Sequence, residues 1–573
     1  MEDTRCSVGA CNLHAFCILQ PVLRDQLGLV TKVNHTIGDV SFTSLILTPI
    51  RLIMKTHVDA VIPRIAVLFV LLGCYFRFAG LDEKLFWHDE VYTGLAIAGS
   101  SFAEAREYLF DGQDHPVAAV LVFQSPRVGK SIWDTIDILA KSHPRHPPLY
   151  FASAHLWETI WGSSTKSLRM YSAVMGLLSL PLAVLLCREL HPDRMAGWIL
   201  VALVSVSPLH VIYAQEARPY LLWINLILLS SWLLLVGLRR GAVSDGKTPL
   251  FFALYAIATT LSLYTHLLSV LVLAAHVLFV VGSQASTRRA TWRLFVSAVI
   301  VSTLLFVPWM LALWFDTGRE RSWVAWAATP ITVPGWFLRV GAAWSRPFVD
   351  LESWRMVVGV IPLGLAASCV GIVIRFATRR AVWFCISLIA ISVLPFVVAD
   401  VVGGGWRTGV IRFQWPAVLA VQCCVSMTLA YGLRSTAVWY RYGAAAVAVT
   451  LITCGVVSTI TYHQAPVWWI KATSASLYDD AREINQHERP LVISSEHSQR
   501  SLGDLMALAH LLNDDVTLRL VVEPEKPRLT HLADHTFVWQ VSSEMRARLQ
   551  TEGWQLEQVG DYKLHRLSRQ TAP

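Results

Sequence analysis

Long apolar runs separated by short polar turns dominate this chain. Runs at 61–80, 167–187, 194–212, 217–238, 249–264, 266–282, 293–315, 354–375, 381–401, 410–433 and 438–461 each approach the ~20 residues that carry a helix across a bilayer. Basic residues then set the sidedness. Arg51, Lys55 and Arg64 precede the first run, and further clusters fall in alternate turns: Arg188 with Arg194, Arg239 with Arg240 and Lys247, Arg288 with Arg289 and Arg293, Arg375 with Arg379 and Arg380, and Arg434. Placing all of these on the cytoplasmic side puts every other loop, and the C-terminus, outside. Residues 147–163 are apolar enough to resemble a further span, but a span there would reverse every later Arg cluster. The segment therefore reads as an interfacial or re-entrant helix on the outer side, with Pro147-Pro148 at its start and His155 and Glu158 giving it a wetter face.

Four segments fall outside this array. Residues 1–60 read as a cytoplasmic extension, or, as far as 53, as the product of an early start codon with Met54 the true one. The loop 81–166 carries amphipathic stretches near 88–110 and 128–142. The loop 316–353 is rich in Trp and Arg (Trp323, Trp326, Trp336, Arg339, Trp344, Arg346), suited to stacking on sugar rings or, more commonly, to anchoring at the headgroup level. Residues 465–573 turn polar and alternate strand-like runs (Leu491 to Ile493, Thr517 to Val522, Thr536 to Val541) with helical ones (Ser476 to Gln486, Ser501 to Leu512), which predicts a small soluble α/β domain.

Composition fixes the class: 54% of residues are hydrophobic and 15% charged, against about 25% charged in a soluble domain. The +8 balance does not indicate a nucleic-acid partner, because the Lys and Arg sit in short turns between apolar runs. The ten Cys are scattered without CxxC spacing, which argues against a metal or disulfide framework.

Three clusters on the outer side carry chemistry. Trp87-His88-Asp89-Glu90 places a carboxylate pair and an imidazole where the chain leaves the membrane; a low-dielectric boundary raises carboxylate proton affinity, so Asp89 or Glu90 reads as a general base, with a plain helix N-cap at Asp89 as the alternative. His143-Pro144-Arg145-His146-Pro147-Pro148 opens a helix whose start could hold a phosphate, or is a proline-stiffened turn. Arg169, two residues into the next run, needs an anion that a lipid phosphate could supply. In Tyr213-Ala214-Gln215-Glu216-Ala217-Arg218-Pro219-Tyr220, Glu216 and Arg218 either pair with each other or reach a cavity. His266, Asp400, Arg407 and Arg412 fall at outer ends of later runs, and Arg412 is a further candidate phosphate ligand.

The order of these elements (an acidic DE pair, then HPPLYF at 146–151, SLRMYSAVMGLLSLPLAVLL at 167–186, SPLHVIYAQEARPYLL at 207–222, and Arg412-Phe413 before Pro416) resembles the GT-C glycosyltransferases. The resemblance is densest over roughly 80–240 and points to the branch of dolichyl-phosphate-mannose protein mannosyltransferases and bacterial lipid A aminoarabinose transferases. It implies an α-helical polytopic membrane protein with about 11–13 spans over 61–464, a large first outer loop at 81–166 and an extracytoplasmic α/β domain at 465–573. It also implies transfer of a sugar from a polyprenyl-phosphate donor to an acceptor hydroxyl on a lipid, glycan or protein, with inversion, at the outer face of the cell membrane. Asp89 matches the catalytic base with Glu90 beside it, and His146 and Arg169 match positions near the donor phosphate, with Arg412 joining them. Glu216 and Arg218 match a string of less clear role, and His88 matches no assigned role. No cofactor is required, although the carboxylate pair could recruit a divalent metal. A lipid-linked sugar flippase, or a polysaccharide ligase or polymerase, is the alternative; the lack of an internal repeat weighs against a transporter.

Overall fold

The structure, a computed structural model, describes residues 42–126, 129–283, 288–315, 325–351, 360–468, 471, 474–496, 499–523, 525, 527–530, 532–559 and 563–569. Residues 1–41 of the N-terminal extension, the start of the run at 354–375 and Trp323 lie outside them. Met1–Val61 and Ile62–Pro573 are separate compact units, and the site lies wholly in the second.

The first described element is α1 (Phe42–Phe78). The segment 81–166, the long first loop, then folds into α2 (His88–Ile97), α3 (Phe102–Leu109), strand β1 (Asp111–Pro116), α4 (Val117–Leu121), α5 (Ile132–Ser142) and α6 (Leu149–Trp161). The apolar array follows as α7 (Thr165–Leu190), α8 (Arg194–Ser205), α9 (Pro208–Ala214), α10 (Tyr220–Ala242), α11 (Thr248–Leu263), α12 (Ser269–Gly282), α13 (Arg289–Phe315), α14 (Val333–Ser345), α15 (Val360–Phe376), α16 (Arg379–Gly403), α17 (Trp415–Arg434) and α18 (Val438–Gln464). The C-terminal part is α19 (Ser476–Ile484), β2 (Leu491–Glu496), α20 (Gln499–Ala509), β3 (Thr517–Val522), β4 (Thr536–Trp539), α21 (Ser543–Thr551), β5 (Trp554–Gln558) and β6 (Leu564–Arg569).

Where it is described, each expected apolar run lies largely on one of these helices, or, for 194–212, on the two helices α8 and α9. Among the described residues seven helices are long and apolar enough to cross a membrane, and the pair α8–α9, bent by 57°, is a broken span or a re-entrant loop; α11, α12 and part of α15 are shorter apolar helices. The chain is a multi-pass helical membrane protein. The bend between α8 and α9 exposes carbonyls that a membrane cannot hydrate. The buried Arg77 guanidinium takes them up, donating to the carbonyls of Val204 (3.0 Å) and Ser205 (2.7 Å). Gln215 does the same for the end of α1, donating to the carbonyls of Phe76 and Ala79, both at 2.7 Å.

The basic turns gather at one end of the array. Arg239 pairs with Glu189 at 2.9 Å and Arg434 with Asp193 at 2.8 Å. Arg169 and Arg188 lie 19 positions apart on α7, so roughly 28 Å along its axis, close to the ~30 Å of hydrocarbon in a bilayer. The candidate residues and the basic turns thus occupy opposite ends of the same helices.

The segment 147–163 forms the 13-residue α6, about 20 Å long and short of a span. Its polarity is the reverse of the sequence expectation. His155 and Glu158 are buried, with His155 Nδ1 at 2.7 Å from the Ile97 carbonyl, whereas Leu156, Ile160 and Trp161 are exposed. The helix turns its apolar side outward, and burial pushes the Glu158 carboxyl up to about 8.

The C-terminal region forms the expected α/β layer, but its sheet is not confined to 465–573. The strand order is β1-β3-β2-β4-β6-β5, with β2 parallel to β3 and β4 and the remaining pairs antiparallel. The edge strand β1 comes from the long first loop, and Asp114 on it accepts from Nε and Nη2 of Arg519 on β3, at 2.6 and 2.9 Å. One apolar core runs from Val91 and Leu95 on α2 through Leu505 and Met506 on α20 to Leu518 and Phe537 on the sheet. Outer loop and C-terminal layer are therefore a single packed body over the site.

Candidate active site

The first turn of α2 distributes four side chains in four directions. Trp87 is extended and caps the helix without a side-chain bond, so Asp89 is not an N-cap; it and Glu90 lie in the first turn, where the helix dipole favours negative charge. Glu90 points inward and is fully buried, Asp89 is 17% exposed, His88 faces the C-terminal layer, and the Trp87 indole reaches Glu216.

Glu90 receives both oxygens' worth of one guanidinium: Arg169 Nε donates to Oε1 at 2.8 Å and Nη2 to Oε2 at 2.7 Å. The remaining N–H groups of Arg169 go to the carbonyls of Leu81, Lys84 and Leu85, at 2.7–2.8 Å. Lys471 Nζ stands 3.4 Å from Glu90 Oε2, and the Ala217 amide donates to Oε1 at 2.9 Å. This corrects two expectations. The anion that Arg169 requires is Glu90 rather than a lipid phosphate, and Glu90 is held ionised with no open path to an acceptor. Burial raises its proton affinity, but Arg169 and Lys471 outweigh burial and keep it below the ordinary carboxylate range.

Asp89 keeps the more open position. Its Oδ2 lies 3.3 Å from Arg412 Nη1 and its Oδ1 3.2 Å from His88 Nε2. Arg218 grips the same face of α2 from behind, Nη1 donating to the Asp89 carbonyl at 3.0 Å and to Thr93 Oγ1, one turn on, at 3.2 Å. Desolvation raises the Asp89 carboxyl, while His88, Arg218 and Arg412 together pull it far below its usual range. The expectation of a boundary-raised proton affinity thus fails for both members of the pair, because the sequence could not show four cations converging on them.

The raised carboxyl belongs to Glu216, which burial pushes up to about 7, with Glu90 and Asp89 adding to the rise against the lowering effect of Lys471 and Arg218. The Glu216 and Arg218 side chains do not pair, although the Arg218 amide donates to the Glu216 carbonyl at 2.8 Å: Glu216 Oε1 accepts from Trp87 Nε1 at 3.1 Å, and its Oε2 is buried with no hydrogen-bond partner among the described residues.

Beside this group opens a small cleft lined by Tyr92, Phe102, His143, His146, Phe151 and Arg218, among others. Burial and the nearby Arg218 charge hold His146 well below the usual imidazole range, so it is neutral there. Arg218, Arg412 and His146 are the groups that the geometry offers to an anion; of these, Arg218 carried only a supporting place in the sequence. The Trp-rich loop meets the same region: Trp326 lies 5.7 Å under the Arg412 guanidinium and packs on Trp406. His266 stacks on Trp223 at 4.1 Å, and Asp400 pairs with Arg407 at 3.3 Å, closing a local turn.

Among the described residues no group of three or more His, Cys, Asp or Glu converges as a metal site. The donor set does not fit a cation either, since Asp89 already faces Arg412 and Glu90 faces Arg169 and Lys471.

No protein-family model and no curated protein matches this chain by sequence. Its fold is nevertheless similar to solved structures. ArnT from Cupriavidus metallidurans, bound to undecaprenyl phosphate, aligns at 12% identity with a TM-score of 0.50, over 87% of this chain and 97% of that one. The oligosaccharyltransferase AglB from Archaeoglobus fulgidus, in complex with an inhibitory peptide and a dolichol-phosphate, aligns at 13% identity with a TM-score of 0.46, over 78% and 64%. The architecture expected from the sequence, a polytopic helical membrane protein with a small C-terminal α/β layer, is the architecture of this chain, and its fold is similar to that of the ArnT structure.

Proposed function

We propose that this protein is an integral membrane glycosyltransferase that moves a sugar from a polyprenyl-phosphate donor to an acceptor hydroxyl on the extracytoplasmic side. One observation carries the reading: a partly open carboxylate, Asp89, sits against Arg412, and Arg218, which donates to the Asp89 carbonyl, lines a cleft together with His146, at the membrane end away from the basic turns. The likeness in fold to a protein solved with undecaprenyl phosphate supports the lipid-phosphate donor.

The chemistry follows from the charges. As the bond from the anomeric carbon to the phosphate oxygen breaks, its electron pair stays on the phosphate and the sugar ring becomes oxocarbenium-like. Arg218 and Arg412 stabilise the growing phosphate charge, with His146 as a neutral hydrogen-bonding group. Asp89 takes the proton of the attacking hydroxyl from the opposite face, so one displacement inverts the anomeric centre. A carboxylate with so low a proton affinity is a weak base. When the donor phosphate meets Arg218 and Arg412, Asp89 shares their attraction with a second anion, and its proton affinity rises. Glu90 and Arg169 fix the start of α2 and take no proton.

The test is release of undecaprenyl phosphate from a panel of undecaprenyl-phosphate-linked hexoses and pentoses, with water and added glycan hydroxyls as acceptors, by the purified protein in lipid nanodiscs, read by mass spectrometry. Release by the wild type and its loss in Asp89→Asn support the reading; full release by Asp89→Asn removes Asp89 as the base.

A further inference from the structure

His88 has no part in holding the phosphate, yet it lies between two carboxylates from distant parts of the chain. Its Nε2 is 3.2 Å from Asp89 Oδ1, and its Nδ1 is 3.8 Å from Oδ1 of Asp504, on α20 of the C-terminal layer. Both atoms of the second contact, His88 Nδ1 and Asp504 Oδ1, are buried and lack a hydrogen-bond partner among the described residues. Unpaired buried polar atoms are costly, and these two face each other just beyond bonding distance. Asp504 is fully buried, and its other oxygen, Oδ2, is held by Lys563 at 3.4 Å, Gln540 at 3.4 Å and Arg500 at 3.8 Å. Its position is therefore fixed from the layer's side. The approach of α20 to α2 depends on Gly503: a Cβ there would come within 3.3 Å of the His88 Cβ and 3.1 Å of the Tyr92 hydroxyl.

We propose that Asp504, His88 and Asp89 form a proton relay, in which the C-terminal layer supplies the distal carboxylate. The inference rests on the transferase reading above. The acceptor O–H bond breaks as the new O–C bond forms, and the proton goes to Asp89. It then passes from Asp89 to His88 Nε2 while Nδ1–H donates to Asp504, so the imidazolium lies between two carboxylates. His88 is 19% exposed, and the proton leaves from it to water. Asp89 is thereby returned to its ionised form for the next turnover. The groups bearing on His88 are Asp89 on its own helix and Asp504 across from it; behind them stand Arg218 and Arg412 on the Asp89 side and Arg500 and Lys563 on the Asp504 side. The arrangement has the logic of a base oriented by a third group. His88 and Asp504 act through Asp89 and are positioning residues.

The experiment measures sugar transfer and thermal unfolding together, in nanodiscs, with the same undecaprenyl-phosphate-linked panel. His88→Gln and Asp504→Asn should each lower kcat by about 10- to 100-fold, with the donor KM unchanged. The double variant should be no slower than His88→Gln alone, because both act on one step. Imidazole added to His88→Ala should restore part of the rate. His88→Gln leaves Asp504 with Lys563, so it reports the relay even where Asp504→Asn folds poorly. Wild-type rates in His88→Gln, or losses that multiply in the double variant, overturn the proposal. Failure of the wild type on every donor would instead count against the transferase reading. A substrate-free measurement then decides the relay: an experimental structure with undecaprenyl phosphate should place His88 Nδ1 within hydrogen-bond distance of Asp504, and an imidazole turned away from Asp504 would refute it.

Discussion

Glu90 and Arg169, 79 positions apart in the chain, meet as a fully buried bidentate pair, with N–O distances of 2.8 and 2.7 Å. The pair ties the first turn of α2 to the second turn of α7, which sets the height of Asp89 above the array. Breaking a buried pair by removing one partner leaves an uncompensated charge and costs about 3–5 kcal/mol. Arg169→Met should therefore lower the unfolding midpoint sharply, and Glu90→Gln in the same chain should recover part of the loss. If the two changes add without recovery, the pair is not a unit. Thermal unfolding in detergent or nanodiscs reads either result.

The guanidiniums of Arg218 and Arg412 carry the phosphate site in this account. Replacing one by Lys keeps the charge but loses the planar fork. The expected outcome is a donor KM raised by about 10- to 100-fold, the loss of one charge-assisted hydrogen bond of about 1.5–3 kcal/mol. Arg169→Lys should instead act on stability, since its guanidinium is spent on Glu90 and three carbonyls. Comparing undecaprenyl phosphate affinity across the three variants separates these roles.

Glu216 gives a pH signature. Its carboxyl is raised from 4.5 to about 7 in the folded chain, so the folded state binds more protons than the unfolded one between these values. Stability from this group is full below about 4.5 and is lost as pH rises toward about 7. Glu216→Gln should remove that component. The difference in unfolding free energy between variant and wild type should drift in favour of the variant from pH 5 to pH 7, at up to about 1.4 kcal/mol per pH unit. A flat difference would show that Glu216 is ionised throughout.

The sheet makes the C-terminal layer inseparable from the outer loop. Ending the chain before Ser476 strips β1 of its partner β3 and uncovers Val91 and Leu95. Such a chain should lose protection of residues 88–142 in limited proteolysis. Intact protection of that loop would show that it folds without the layer.

Much of this was legible because bilayer physics is written in long stretches. As far as they are described, the eleven apolar runs lie largely on helices or on a bent helical pair, and the Arg clusters gather at one end. The chemistry was legible as residue types but not as partners. Nothing in the sequence joins Glu90 to Arg169 rather than to a phosphate, or His88 to Asp504, 416 positions away. Strand β1, Asp-Gly-Gln-Asp-His-Pro, lacks every signal of strand propensity and exists because β3 offers it an open edge. The polarity of α6 was misjudged for a related reason: His155 finds the Ile97 carbonyl inside, so its burial is satisfied.

Asp89→Asn tests the whole account most directly, with undecaprenyl phosphate binding and sugar release measured on the same nanodisc preparation. The account predicts that release falls by about 10²–10⁴-fold, while undecaprenyl phosphate binds at least as tightly as to the wild type, because Arg412 has lost its competing anion. Undiminished release, or binding lost together with release, would contradict it.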